Sequence, residues 1–549
     1  MNRGKDPEMN LISCNDSKPS GTFDKAYLVK NSTITTFCRG VGVATGLLLD
    51  AVIMGIFGLV SDVDAFFAAM ALPLLISSAL GTQFAQVLVP LLARIDKESG
   101  RARTSQFLNN VLTTWVVFGV LASLLGMLMA GTLMPLQIPG FKADATLLSV
   151  RISMMLVWLI LIRGIGDILS CVLYAFHRYW LASLSRAMVN VCTIITLLVL
   201  QKQLGIYALA VSFLAGAASQ CVVLWLAVRR LGFAFRPVVR IADPELQMLS
   251  RLMIYPSAGQ MLSEFRTVLE NYFASYYAAG VLSGLKYATR MITAISSIMM
   301  GGVVTATLPM VSHNMAENQV EEMKRNILRA MKLLLLLALP ISAWLIFNGG
   351  AVVSILFERG KFLKSDGVLI ARFLALMTPY ILFGRVVSLI QIPFYAGMNT
   401  KTPLVGMIIS FLLYLIFTPV LVYGCGIYGF PLSTSLTAIC ASVVMAVLMR
   451  RCFGPVGWGG LRDFSTKLLL AVFASCGGFL LGRVLMPAFD SRTLAVKMLA
   501  LAVPSAVGLG GFLIIAQVIG FLDSAKMLRR LRRLSAEKFD SLTSGARPS

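Results

Sequence analysis

Ionisable side chains inside long apolar stretches are the chemically informative residues of this chain. They are Arg39, Asp50, Arg151, Arg163 and Asp167 in the first half, and Glu264, Arg266, Glu270, Lys286, Arg290, Arg372 and Arg385 in the second. A charge placed in hydrocarbon is costly and normally faces a cavity or a partner. Cations outnumber anions, so a cavity built from these groups is electropositive. Its natural guest is a pyrophosphate or carboxylate head group, and arginine suits such a guest because its planar fork binds two oxygens at once. Arg39 and Arg290 stand out because neither has an acidic residue three or four positions away. Arg163 with Asp167, and Arg266 with Glu270, are each four apart on one helix face and serve equally well as structural ion pairs. Arg151 and Arg372 lie near the ends of apolar stretches, where an arginine snorkels to the interface.

Catalytic signals are missing. The two histidines, His177 and His313, fall in separate connections, and no HExxH, Walker motif, Gly-rich dinucleotide loop or GxSxG occurs. The nine cysteines are scattered, mostly through apolar runs, without CxxC or metal-ligand spacing. No catalytic residue, metal site or cofactor is therefore expected. Any transport must run on an ion gradient, the membrane potential or a substrate gradient.

These charges need a scaffold, and composition names it. Of 549 residues, 57% are hydrophobic and 13% charged, with a mean hydropathy of +0.81. A soluble domain has too little surface cover for that much apolar side chain. Runs such as Phe107 to Leu136 and Leu333 to Phe357 carry no charge and exceed the roughly 20 residues that cross a hydrocarbon core. Helices are predicted near residues 36–58, 66–92, 107–136, 147–175, 182–200, 204–228, 251–278, 284–312, 330–356, 368–396, 403–424, 428–449, 465–486 and 496–521. The fold class is thus an all-α polytopic membrane protein of about fourteen transmembrane helices.

The net charge of +23 does not point to nucleic acid. The basic residues cluster at helix ends, as at Arg229 and Arg230, Arg450 and Arg451, and the tail Arg529, Arg530, Arg532 and Arg533. That placement fits the positive-inside rule and attraction to anionic membrane lipid. Alternate connections, Ala278 to Ser283 and Gly424 to Gly429, are almost uncharged, and Glu358 to Asp366 is of mixed sign. Both termini are expected in the cytoplasm, in agreement with an even helix count. Residues 1–31 are polar and lack the apolar core of a cleavable signal.

A repeat of about 220 residues lays Leu49-Asp50 on Leu269-Glu270 and Val89-Pro90-Leu91 on Leu308-Pro309-Met310. Within a residue or two it also lays Arg151 on Arg372, Arg163 on Arg385 and Tyr174-Ala175 on Tyr395-Ala396. Chance pairs leucines easily, but not two intramembrane arginines and an acid. Each copy spans six helices, so the two lobes share one orientation and are related by a pseudo-two-fold along the membrane normal, with the substrate site between them. The expected organisation is a cytoplasmic segment 1–35, an N-lobe 36–232, a C-lobe 249–453, a terminal helix pair 464–523 and a basic tail 524–549.

Four stretches then carry a resemblance. They are Ile56-Phe57-Gly58 followed by Asp64-Ala65-Phe66-Phe67; Gln86 to Pro90; Leu356-Phe357-Glu358-Arg359-Gly360-Lys361-Phe362; and Tyr395 to Pro403, reading YAGMNTKTP. The chain resembles the MurJ/MviN lipid II flippases of the multidrug/oligosaccharidyl-lipid/polysaccharide exporter superfamily, from about Thr35 to the last helices. The resemblance implies a head group held in a cationic cavity between the lobes, alternating access, and a groove for the polyprenyl tail on the terminal pair. By the same resemblance Arg39 and Arg290 bind the substrate's anionic group, and Asp50 and Asp64 orient those arginines or form an outer gate. Glu270 joins them as the repeat partner of Asp50, and Lys286, one turn before Arg290, supplies further positive charge or snorkels at the outer interface. The match departs at Leu49, Ser77 and Ser78, where the family has arginines, and at Thr82, where it has an acid. The expected function is to flip a polyprenyl-pyrophosphate-linked saccharide, lipid II or an exopolysaccharide or O-antigen type repeat unit, in the inner membrane. A monomer working with membrane lipids is favoured. A drug/cation antiporter calls for unpaired carboxylates, and a membrane glycosyl- or phosphotransferase for clustered carboxylates or histidines; neither pattern is present.

Overall fold

The computed structural model describes residues 25–176, 178–240, 242–397, 399, 401–457, 459–485 and 494–518. Their order is α1 (Lys25–Phe57), α2 (Ser61–Gln137), α3 (Ala143–Leu156), α4 (Leu159–Ala175), α5 (Tyr179–Leu204), α6 (Tyr207–Arg230) and α7 (Pro244–Ala274). Then come α8 (Val281–Ala316), α9 (Val320–Phe357), α10 (Lys364–Ala396), α11 (Lys401–Cys425), α12 (Gly429–Phe453), α13 (Gly459–Leu485) and α14 (Leu494–Val518). No strand occurs among the described residues. Large apolar side chains face outward, Phe473 82% and Leu128 80% exposed, a surface suited to hydrocarbon rather than water.

The two helices expected near 66–92 and 107–136 are the two arms of α2, which breaks between them at Gly100, where φ is +76°. Conversely, the helix expected near 147–175 is divided between α3 and α4 around Val157 and Trp158. Eleven stretches of the described residues are long and apolar enough to cross a membrane, or twelve counting the 49° bend within α8 as one span. One of these, Lys401–Phe453, contains both α11 and α12. α7 falls outside the count because Glu264, Arg266 and Glu270 dilute its apolar character. Taking α11 and α12 separately and adding α7 gives fourteen helical segments, the number expected.

The two halves repeat one pairing scheme. α1 packs on α5 as α7 packs on α11; α2 packs on α4 as α8 packs on α10; α4 packs on α6 as α10 packs on α12; and α5·α6 corresponds to α11·α12. α13 and α14 pair with each other and lean on α9. The molecule thus has a turn end, carrying the α1–α2, α2–α3, α7–α8 and α9–α10 connections, and a linker end, carrying Gly100, residues 231–240 and Asp243. Arg94, Lys97, Arg101, Arg229, Arg230, Lys401, Arg450 and Arg451 all fall at the linker end. There Arg103 bridges to Asp243 at 3.0 Å and to Glu245, while the Arg101 guanidinium lies 3.9 Å from the Phe176 ring and 4.6 Å from Phe233. Asp243 also caps α7, accepting from the Glu245 amide at 3.1 Å, with Pro244 opening the helix.

Candidate functional site

The halves meet at the turn end through polar groups. α8 has no side-chain cap of its own, and its first residue follows Gly280 at φ +91°. The Asp64 carboxylate, from α2 in the other half, fills that role: it accepts from the Gly280 amide at 2.6 Å and the Ser283 amide at 2.7 Å. Helix N-termini have unsatisfied amides and a positive dipole end, so a buried carboxylate is stable there. Nearby, the Lys361 amide donates to the Gly55 carbonyl of α1 at 3.0 Å, and a Cβ at Gly360 would sit 2.1 Å from that oxygen. Only glycine permits this approach, at φ +63°. Gly140 completes the seam, its amide donating to Ser275 Oγ at 3.1 Å. The Ile56-Phe57-Gly58 and LFERGKF stretches of the sequence therefore meet across the two halves.

One turn back from that seam, Asp50 of α1 and Arg290 of α8 form an ion pair, with the carboxylate buried and the guanidinium half-buried. The Arg290 guanidinium lies 5.5 Å from the Phe67 ring centroid. Arg290 thus has an acidic partner from the opposite half, one that its own helix does not supply. Arg39 lies in α1, and its side chain falls outside the described residues.

A second charged cluster lies wholly in the second half. Glu270 of α7 accepts from Lys286 Nζ at 2.9 Å and from the Tyr414 hydroxyl at 2.9 Å, with Arg266 at 3.7 Å. Arg266 also donates to Thr434 at 2.7 Å and stacks 3.9 Å from the Tyr414 ring. Lys286 is therefore engaged by Glu270 in this structure, a turn away from Arg290 but not beside Asp50. Tyr414 and Thr434 carried no sequence signal, because single hydroxyls in apolar helices are common.

Other expected charges sort by position. Arg372 donates to the Tyr428 hydroxyl at 2.8 Å, and it and Arg151 are exposed near the turn end, as snorkelling arginines are. Asp167 lies within electrostatic reach of Arg163 and of Arg186 on α5, a basic residue the sequence reading did not single out. Arg385 of α10 donates from Nε to Ser296 at 2.7 Å and from its terminal nitrogen to Ser297 at 2.9 Å. His313 is exposed beside Glu317, and His177 lies outside the described residues. Among the described residues no three His, Cys, Asp or Glu gather to hold a metal.

α14 borders an apolar cavity of about 340 Å³ lined by Ile295, Ile298, Pro340, Ile341, Trp344 and Leu509. Two polar ties fix α14 to α9 beside it. Trp344 Nε1 donates to Ser505 at 2.7 Å, and Lys497 pairs with Glu358 at 2.6 Å. Burial works to raise the Glu358 carboxyl, but hydrogen bonds from Lys497 and Ser354 outweigh it and hold it below the usual glutamate value.

The arrangement has known counterparts. A protein of Bdellovibrio bacteriovorus called probable lipid II flippase MurJ is 23% identical over 519 residues, covering 93% of this chain and 96% of that one. One of Rhizobium tropici with the same name is 24% identical, covering 86% and 90%. Lipid II flippase MurJ of Burkholderia cenocepacia is 22% identical, covering 74% and 81%. In three dimensions the chain is similar to a solved lipid II flippase MurJ in an inward closed conformation, with a TM-score of 0.72 and 19% identity over 89% of this chain and 98% of that one. An inward-facing multidrug resistance MATE transporter shares the fold more distantly, with a TM-score of 0.59 over 77% and 94%. The family profile described as lipid II flippase MurJ matches residues 53–501. A membrane-spanning bundle of two like halves, joined through Asp50, Asp64 and Arg290, is therefore a member of the MurJ lipid II flippase family, whose members are transporters rather than enzymes.

Proposed function

We propose that this chain carries lipid II from the cytoplasmic to the outer leaflet of the bacterial inner membrane by alternating access, with the linker end and both termini in the cytoplasm. The observation that carries the reading is the Asp50–Arg290 pair between the halves. A buried carboxylate paired with an arginine is stable, whereas removing one partner costs roughly 3–5 kcal/mol. Separating the halves at the turn end exposes Arg290, and a pyrophosphate is the anion able to replace Asp50 on it. Asp50 in this reading holds the place of the substrate's phosphate. Asp64 and Gly360 close the same seam, and the cavity against α14 receives the apolar tail.

Cells depleted of their own lipid II flippase test this. Wild-type chain restores growth, and R290A or D50A at the same membrane abundance does not; rescue by R290A overturns the assignment. An exopolysaccharide repeat unit is the second reading, favoured by one feature. Leu49 is buried and apolar, and Ser77 is buried with its Oγ unpartnered, where the family resemblance places arginines. Wild-type chain that reaches the membrane yet fails to rescue favours that substrate.

A further inference from the structure

We infer that Arg385 on α10 is a second anion-binding residue for the substrate's pyrophosphate, the one that holds it while Arg290 is engaged by Asp50; the inference rests on the flippase reading above. Arg266 and Arg290 both have carboxylate partners, while Arg385 has an ion-pair partner nowhere among the described residues. Among the described residues its guanidinium donates to two neutral hydroxyls, Ser296 and Ser297. The sequence repeat sharpens the contrast. Arg163, its counterpart in the first half, has Asp167 four residues on, whereas Arg385 has the buried Leu389 at that spacing. A helix staple between α8 and α10 needs no charge, and a guanidinium in apolar surroundings is stable only when an anion or water completes its shell.

Depth points to the same ligand. Ser297 lies seven residues from Arg290 on α8, about 10 Å along the helix and on nearly the same face. Ile295 and Ile298, within one turn of Ser296 and Ser297, line the apolar cavity against α9 and α14. One level of α8 therefore offers a cation on one side and an apolar chamber on the other. A polyprenyl pyrophosphate has that polarity: a dianionic group at the junction between a sugar and a hydrocarbon tail. The serines orient the fork with Nε and one terminal nitrogen, leaving donors on the second terminal nitrogen for phosphate oxygens.

The test uses full-length protein in phosphatidylcholine nanodiscs, with a polyprenyl pyrophosphate and the matching neutral polyprenol as probes. Wild type prefers the pyrophosphate. R385Q weakens pyrophosphate binding by about tenfold or more, as loss of a charge-assisted pair predicts, and leaves polyprenol binding unchanged. R385K keeps the charge without the fork and falls between. R385Q that binds the pyrophosphate as wild type does, while R290Q does not, overturns the role of Arg385 and leaves the flippase reading standing. Equal weakening toward both probes marks a helix staple and also overturns it. Wild type without preference for pyrophosphate over polyprenol overturns both.

Discussion

The Asp50–Arg290 pair and the Glu270 cluster use the same chemistry for different ends. Glu270 gathers Lys286, Arg266 and Tyr414 within one half, and Thr434 takes a further donor of Arg266. Every partner among the described residues belongs to the second half's own bundle, so the cluster does not tie one half to the other. Asp50 and Arg290 come from α1 and α8, on opposite sides of the seam, so the proposed alternating access would part them. A saturated network inside a rigid unit fixes its packing, whereas a single pair across a seam can be exchanged for another anion. On the proposed function, position relative to the seam, rather than residue type, separates a structural charge from a working one.

Breaking the cluster should cost most. E270A leaves two cations in apolar surroundings and should destabilise the protein by about 3–5 kcal/mol in thermal unfolding. A small shift would mean that Arg266 and Lys286 find other partners and that the cluster is not a framework. G360A comes next, because a Cβ there meets the Gly55 carbonyl and the backbone needs positive φ. It should cost roughly 1–3 kcal/mol and open the turn end, read as faster labelling of a cysteine placed at Ser283, which is fully buried in the closed seam. D64A removes the cap on α8 and should cost about 1 kcal/mol, with transport falling more than unfolding temperature if the cap works across the seam.

The smallest effect belongs to Lys497. K497A removes a partly exposed pair worth about 0.2–1 kcal/mol. Because Glu358 is held below its ordinary value of 4.5, its contribution is complete above that pH and is lost as the pH falls through the lowered value. Wild type and K497A should therefore converge in stability once the pH has fallen below the lowered value, well under the ordinary 4.5. A gap that persists there assigns the effect to packing of the lysine stem.

Much of this was legible in the sequence. Long uncharged runs specify crossing helices because hydrocarbon leaves the backbone no other partner than itself. The basic ends, the repeat of Asp50 on Glu270 and the LFERGKF stretch gave the two-half plan and the family. The break of α2 at Gly100 was legible, because the charged stretch from Arg94 to Arg103 parts two apolar runs; the division of α3 from α4 was not, since apolar text reads the same on either side of a bend. Nor did spacing along one helix show that Arg290 has a partner, because Asp50 lies 240 residues away.

By itself, the sequence determined that the chain is an all-α polytopic membrane protein, and which charges stand inside its long apolar stretches. Those follow from local composition, which the bilayer reads residue by residue. Only the tertiary structure decided which charges neutralise one another: Lys286 with Glu270, Arg290 with Asp50, Asp64 on the amides of α8, and Arg385 on two serines. Pairing depends on separation in space, since Coulomb attraction and hydrogen bonding act over a few ångströms, and helices distant in the chain meet only in the folded bundle.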